Sequence, residues 1–226
     1  MKKGIVSIIL LFLFMSAIAQ IQTGVELGIS AGDFSTSGMY TRGKESLFKA
    51  GIFINAPLYD KNSKDILETG IYYERKGAKL ANFEESTTNY IHTLDVTMDY
   101  IQVPLMYGYR FTVSSKINFS LKVGIYGGYA FSASGNLVGF NNQNELFNYK
   151  IDKLLTSEQF TFNNQSFALK KFTPWDFGSI VMFDFGLFKN KLLFRFTIED
   201  GAIDLTKYDK RMKTNVETIG IAYNFM

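Results

Sequence analysis

No cysteine occurs among the 226 residues, so no disulfide framework holds the chain and no lipid is attached through a thiol. Proline is almost as rare, at Pro57, Pro104 and Pro174 alone, and there is one His and one Trp. A chain with so little proline leaves long stretches free to run as strands. After Met15 no apolar run approaches the roughly 18 to 20 residues of a membrane-crossing helix, which argues against a helical anchor. An excess of one charge is also missing: Lys and Arg number 24 against 21 Asp and Glu, and Lys2 and Lys3 belong to a segment read below as removable. Nothing in that balance suggests a nucleic-acid partner.

What is present begins with an export signal. Lys2 and Lys3 form a charged start, Ile5 to Met15 is apolar, and Ala17-Ile18-Ala19 before Gln20 fits a small-residue cleavage site. The expectation is a signal peptide over 1–19 and one mature domain over 20–226. That domain carries 22 Phe, 13 Tyr and 19 Gly, a composition that favours strands.

Apolar and polar residues alternate over eight stretches, the period of a strand with two unlike faces. They run over 24–31, 48–56, 67–74, 101–111, 117–131, 176–186, 192–199 and 218–225. In the fifth, for example, Phe119, Leu121, Val123 and Ile125 oppose Ser120, Lys122, Gly124 and Tyr126. Short polar turns join the second to the third, the fourth to the fifth and the sixth to the seventh. The other connections are long, at Gly32–Ser46, Gly77–Val96, Ser132–Pro174 and Gly201–Thr214. Strictly alternating short and long connections predict an eight-stranded antiparallel transmembrane β-barrel, with short periplasmic turns and long extracellular loops.

Alternation alone does not say which face points inward, and a secreted lipocalin-type barrel shares it. Glycine separates the two. Gly24, Gly28, Gly51, Gly70, Gly108, Gly124, Gly128, Gly178, Gly186 and Gly220 all fall on the polar face. On a solvated surface they would weaken the strands, whereas inside a narrow barrel they make room for long neighbours. That face also carries Glu26, Glu68, Glu74, Arg110, Lys122, Arg195 and Glu199, expected to form an ion-pair network across the lumen. At this barrel size a plug is favoured over a conducting path. The apolar face, with Tyr73, Tyr109, Tyr129, Phe177 and Tyr223 toward strand ends, suits lipid contact.

The run Glu68-Thr69-Gly70-Ile71-Tyr72-Tyr73-Glu74-Arg75-Lys76-Gly77-Ala78-Lys79, followed by Tyr100-Ile101-Gln102-Val103-Pro104-Leu105, resembles the small outer-membrane β-barrel family described as PorT-like or porin-like. In that family a strand ending in Lys-Gly precedes one with a Val-Pro or Ile-Pro step. The resemblance implies a barrel over the whole mature chain in the outer membrane of a Gram-negative cell envelope, and one branch serves a protein secretion system. The last strand, ending on Phe225 before Met226, also resembles the signal read by the barrel-assembly machinery.

No residue pattern carries chemistry. His92 lies near Glu84, Glu85, Asp95 and several threonines, but the His-x-Ser pattern of the small barrels that resemble a Ser-His-Glu hydrolase is absent. One His and no Cys leave no metal set, Gly124-Ile125-Tyr126-Gly127-Gly128 lacks the lysine of a phosphate loop, and no cofactor is expected. The 132–174 segment is the unexplained expense. It places Leu146, Phe147, Ile151 and Leu154 at near-helical spacing, then Phe160 and Phe162 before Asn163-Asn164-Gln165, with Phe167 after it, as in a small hairpin. Two readings stand: a cap that folds over the barrel mouth and buries these residues, or an interaction surface for a protein or glycan. The overall expectation is a monomeric, non-enzymatic barrel in contact with outer-membrane lipid, with a narrow channel and a lipid-directed hydrolase as alternatives.

Overall fold

A computed structural model describes residues 21–225 apart from breaks at 37–39, 60–62, 82–83, 87–88, 141–145, 153, 156–157, 163–164, 170–171 and 206–211. The signal-peptide segment lies outside the described residues. The strands are β1 (Gln22–Thr36), β2 (Tyr40–Pro57), β3 (Asp65–Ala81), β4 (Glu84–Ser86), β5 (Asn89–Thr112), β6 (Ile117–Phe140), β7 (Leu146–Ile151), β8 (Glu158–Phe162), β9 (Gln165–Leu169), β10 (Trp175–Leu187), β11 (Leu192–Gly201) and β12 (Met212–Phe225). Among the described residues no helix is present.

Eight of these strands close a ring in the order β1-β2-β3-β5-β6-β10-β11-β12, with β12 returning to β1, all antiparallel. Closure removes the sheet edges that would otherwise face lipid with unpaired backbone groups. The strands β8 and β9 form a separate hairpin in which Phe160 pairs with Phe167. At the lower end lie Gln22, Phe225, the C-terminal end of β2, the start of β3 and the short turns 113–116 and 188–191. The last turn is left-handed, with φ of 52°, 61° and 70° at Phe188, Lys189 and Asn190. The Asn224 side-chain amide holds it by donating to the Asn190 carbonyl at 2.6 Å.

At the upper end most of the residues expected in long loops are strand instead. β5 and β6 run for 24 residues each, far above the nine to eleven needed to cross a bilayer, roughly. The expected near-helical stretch around Leu146 is a strand, β7, which pairs with Gly135–Phe140 of β6. Leu154 and Leu155 lie in a turn after it. The spacing of their apolar residues therefore reflects one strand plus one turn, not a helix.

The outer face of the lower part is apolar and open to its surroundings, with Leu27 61 %, Ile125 65 % and Ile219 71 % exposed. Tyr109 and Tyr223 border this band below, and Trp175 and Tyr129 border it above, their rings 4.8 Å apart edge to face. Such a band with aromatic borders suits a bilayer. Charges appear on the outer face just above it, among them Arg75 and Asp99, paired at 2.7 Å.

Candidate functional site

Inside the band, the inward positions of alternating residues build two clusters of buried charge. In the lower one, the Arg195 guanidinium donates to Glu26 at 2.7 Å and to Glu68 at 2.8 Å. It reaches Asp184 within ion-pair distance at 3.2 Å and lies 4.0 Å from the centre of the Phe53 ring. Lys122 bridges Glu68 and Asp184, and the Ser120 hydroxyl donates to Asp184 at 3.2 Å. In the upper cluster, Lys49 donates to Glu199 at 2.6 Å and lies 3.8 Å from Glu74. Lys76 donates to Glu199 at 3.0 Å and to Asp176 at 3.1 Å, and lies 3.7 Å from Glu74. Gln102 donates to Glu199 at 2.9 Å, and the Tyr126 and Thr214 hydroxyls donate to Asp176. Lys76 also lies over the rings of Tyr126 and Tyr100, 4.4 Å and 5.4 Å from their centres.

Each cluster sets three carboxylates against two cations, all essentially inaccessible. Buried charges persist only when paired and hydrogen-bonded, and here each cation touches two or more carboxylates. Glycine provides the room. A Cβ on Gly51 would lie 2.3 Å from the Tyr72 ring, and one on Gly24 would lie 2.4 Å from the Phe53 ring. Tyr72 and Phe53 thus lie flat over cross-strand glycines and divide the lumen between the charged groups.

Above the charges the lumen changes character. Phe34, Leu94, Val96, Met98, Ala133, Leu137, Ile151, Leu154, Phe172, Leu205 and Met212 pack into one buried apolar core. Tyr100 forms the boundary: its ring receives Lys76 from below, and its hydroxyl reaches the Met98 sulfur at 3.4 Å above. The lumen is thus closed twice, by ion pairs and by a dry core.

Of the residues singled out from the sequence, Glu26, Glu68, Lys122 and Arg195 lie in the lower cluster and Glu74 and Glu199 in the upper one. Arg110 stands apart at the lower rim, half-buried, with no ion pair among the described residues. Lys49, Lys76, Asp176 and Asp184 were missed, although Lys49, Asp176 and Asp184 share the polar phase of their strands. Ile151 and Leu154, expected as possible contact surface, are core residues at 0 % and 1 % exposure. Leu146 is exposed, and the side chains of Phe147, Phe160, Phe162 and His92 lie outside the described residues.

The Lys76-Gly77 and Val103-Pro104 steps acquire structural reasons. Lys76 is one of the two cations of the upper cluster, and Gly32 lets β1 approach β3 at Gly77: a Cβ on Gly32 would lie 2.8 Å from the Gly77 carbonyl oxygen. Pro104 lacks an N–H, the β3–β5 pairing skips Gly70 and Ile71 there, and the Thr69 hydroxyl donates to the Pro104 carbonyl at 2.7 Å.

Among solved structures, Ail, the attachment invasion locus protein of Yersinia pestis, is similar at 13 % identity with a TM-score of 0.42, over 90 % of this chain and 98 % of that one. A second structure of Ail, in complex with the heparin analogue sucrose octasulfate, gives 11 % and 0.40 over 91 % and 99 %. Neisserial surface protein A gives 10 % and 0.43 over 91 % and 97 %. No curated protein matches the sequence significantly. The family model described as outer membrane protein beta-barrel domain matches residues 16–206. A closed eight-stranded ring with an apolar outer band and a charged interior, matched over most of its length by that model, belongs to the outer membrane protein beta-barrel domain family and resides in the outer membrane.

Proposed function

We propose that this protein is a non-conducting, non-enzymatic outer-membrane barrel that acts as a structural and binding scaffold, with short turns toward the periplasm and the extended upper wall outside. The double closure of the lumen carries this reading. An ion crossing the barrel would have to break two interlocked sets of buried ion pairs and then traverse an apolar core, both of which oppose charge. Planar-bilayer recording of purified protein tests it. Silent membranes are expected, and discrete, reproducible conductance steps would overturn the plug.

The binding half of the reading rests on the upper wall and on the β8–β9 hairpin, which pairs with no other strand among the described residues. The absence of cysteine makes its orientation directly testable. An Asn148→Cys variant should react with a membrane-impermeant maleimide on intact cells, and labelling only after lysis would refute the outward placement. Replacing Glu158–Leu169 by a short linker leaves the core residues Ile151, Leu154 and Phe172 in place. The shortened barrel should assemble yet lose partner capture.

A second reading, an accessory factor of a protein secretion system, is favoured by the Lys76-Gly77 and Val103-Pro104 resemblance. Export of that system's cargo in a deletion strain distinguishes it: unchanged export leaves the scaffold reading alone.

A further inference from the structure

Above the aromatic border, the outer wall formed by β5, β6 and β7 is concave. A groove of about 490 Å³ is lined there by Asp95, Thr97, Ser134, Asn136, Asn148 and Lys150. The strand register arranges these groups in rows. Asp95 pairs with Asn136, and Asn136 with Lys150, so an acid, an amide and an amine lie side by side on three adjacent strands, with Lys79 opposite Asp95 on β3. One step lower, Thr97 pairs with Ser134, two hydroxyls abreast. Asp95, Thr97, Ser134 and Asn136 are half-buried by the curvature, whereas Asn148 and Lys150 at the groove's margin are exposed.

This surface faces sideways, not along the barrel axis. On β5, Thr97 is four residues beyond Ile101, the last lipid-facing aliphatic position, or roughly 10 Å further along the membrane normal at a strand rise near 3.3 Å and a tilt near 40°. Headgroups occupy roughly the first 5 to 8 Å beyond the hydrocarbon. The groove therefore continues the lipid interface upward, at the height where a headgroup larger than a phosphate ester would lie. Its lining combines hydroxyls, amides and one group of each sign, without a cluster of cations. That set matches the donors and acceptors of a sugar ring better than a phosphate, which would call for convergent Arg or Lys.

We propose that this groove binds the sugar headgroup of a glycolipid in the outward leaflet, anchoring the barrel laterally to its own membrane. The proposal rests on the outward placement of the upper wall, which the cell-surface labelling of Asn148→Cys tests separately. Purified full-length protein is placed in phosphatidylethanolamine nanodiscs containing either lipid A or rough lipopolysaccharide, which adds core sugars to the same lipid. Retention per barrel is read by native mass spectrometry. Lipopolysaccharide should be retained about tenfold better than lipid A, a preference of about 1.4 kcal/mol. Ser134→Trp, which fills the groove, should abolish the preference, and Thr97→Val should reduce it. A heat-modifiable gel shift equal to that of the wild type establishes that each variant is folded. Equal retention of the two lipids, or an undiminished preference in folded Ser134→Trp, would overturn the proposal. Binding of the released core oligosaccharide as tight as that of the intact glycolipid would also overturn it, in favour of a soluble glycan.

Discussion

Two halves of one strand obey opposite rules. Between Ile101 and Phe111, β5 turns Ile101, Val103, Leu105, Tyr107 and Tyr109 outward and Gln102 and Met106 inward. Between Thr93 and Asp99 the geometric phase is unchanged, yet Thr93, Asp95, Thr97 and Asp99 face outward while Leu94, Val96 and Met98 are fully buried. The strand has not turned over; its solvent has. Below the Arg75–Asp99 pair the barrel is apolar outside and charged inside, and above it the barrel is polar outside and apolar inside. The lesson is that the outer surface follows the medium, while the interior need only be filled and satisfied. The lower interior achieves this with paired charges over glycines, and the upper one with ordinary packing.

Breaking the lower interior should have the largest effect. Because three carboxylates share two cations in the lower cluster, loss of a cation is worse than loss of an acid. Arg195→Met leaves Glu26 without its partner and makes Glu68 and Asp184 share Lys122, a change expected to cost about 3 to 5 kcal/mol. Glu26→Gln removes one carboxylate while Arg195 keeps Glu68 and Asp184, and should cost clearly less. Urea unfolding in lipid vesicles measures both, and equal costs would show that the lower cluster is not charge-limited.

Breaking the upper interior should have an effect of similar size but different reach. Leu94→Ala removes a fully buried side chain from the apolar core and should cost about 2 to 5 kcal/mol. The loss should be confined to the upper part, because the ring below is closed by its own ladders. Hydrogen exchange is expected to quicken over 93–98 and 132–138 while 101–111 stays protected. If protection falls throughout, the two halves fold as one unit.

The outer surfaces give the next contrast. Ile125→Arg places a charge on the lipid-facing band and should cost about 2 to 4 kcal/mol near the membrane centre. Asn136→Arg, on the outer wall above, should remain within about 0.5 kcal/mol, as surface changes usually do. Comparable losses at the two sites would mean that the band ends higher than Asp99.

The eight membrane-crossing strands were legible because lipid imposes a clean alternation, and the polar phase marked the inward face through Gly51, Gly70 and Gly108. The upper halves were not legible, for the reason the comparison exposes. When Thr97 and Asp95 replaced aliphatics at outward positions the pattern looked like a loop, although Leu94, Val96 and Met98 keep the same two-residue period on the opposite face. On β6 a bulge hides the pattern further: Tyr100 pairs with Ala130 but Asp99 with Ser132, leaving Phe131 as an extra residue. That shift keeps Ala133 and Leu137 inward. Lys76 escaped notice because it follows Arg75 at a polarity boundary, where neither residue's direction is evident from its type. Nothing local in the sequence signals that Leu154 and Phe172 return to the barrel mouth.

The smallest effect lies at the boundary itself. Burial pushes the Asp99 carboxyl up, but the Arg75 and Tyr73 hydrogen bonds and the Arg75 charge hold it below the usual carboxylate range. A group with a lowered folded value contributes stability that is present above its unfolded value, near pH 4, and lost as pH falls through the folded one. Because the Arg75 side chain is 47 % exposed, solvent screening limits the contribution to about 0.2 to 1 kcal/mol. Asp99→Asn should therefore lower the urea midpoint slightly at pH 7, and the gap to the wild type should close toward pH 3. A gap of constant size at both pH values would mean that Asp99 acts by filling space beside Tyr73 and not as the charge that marks where the membrane ends.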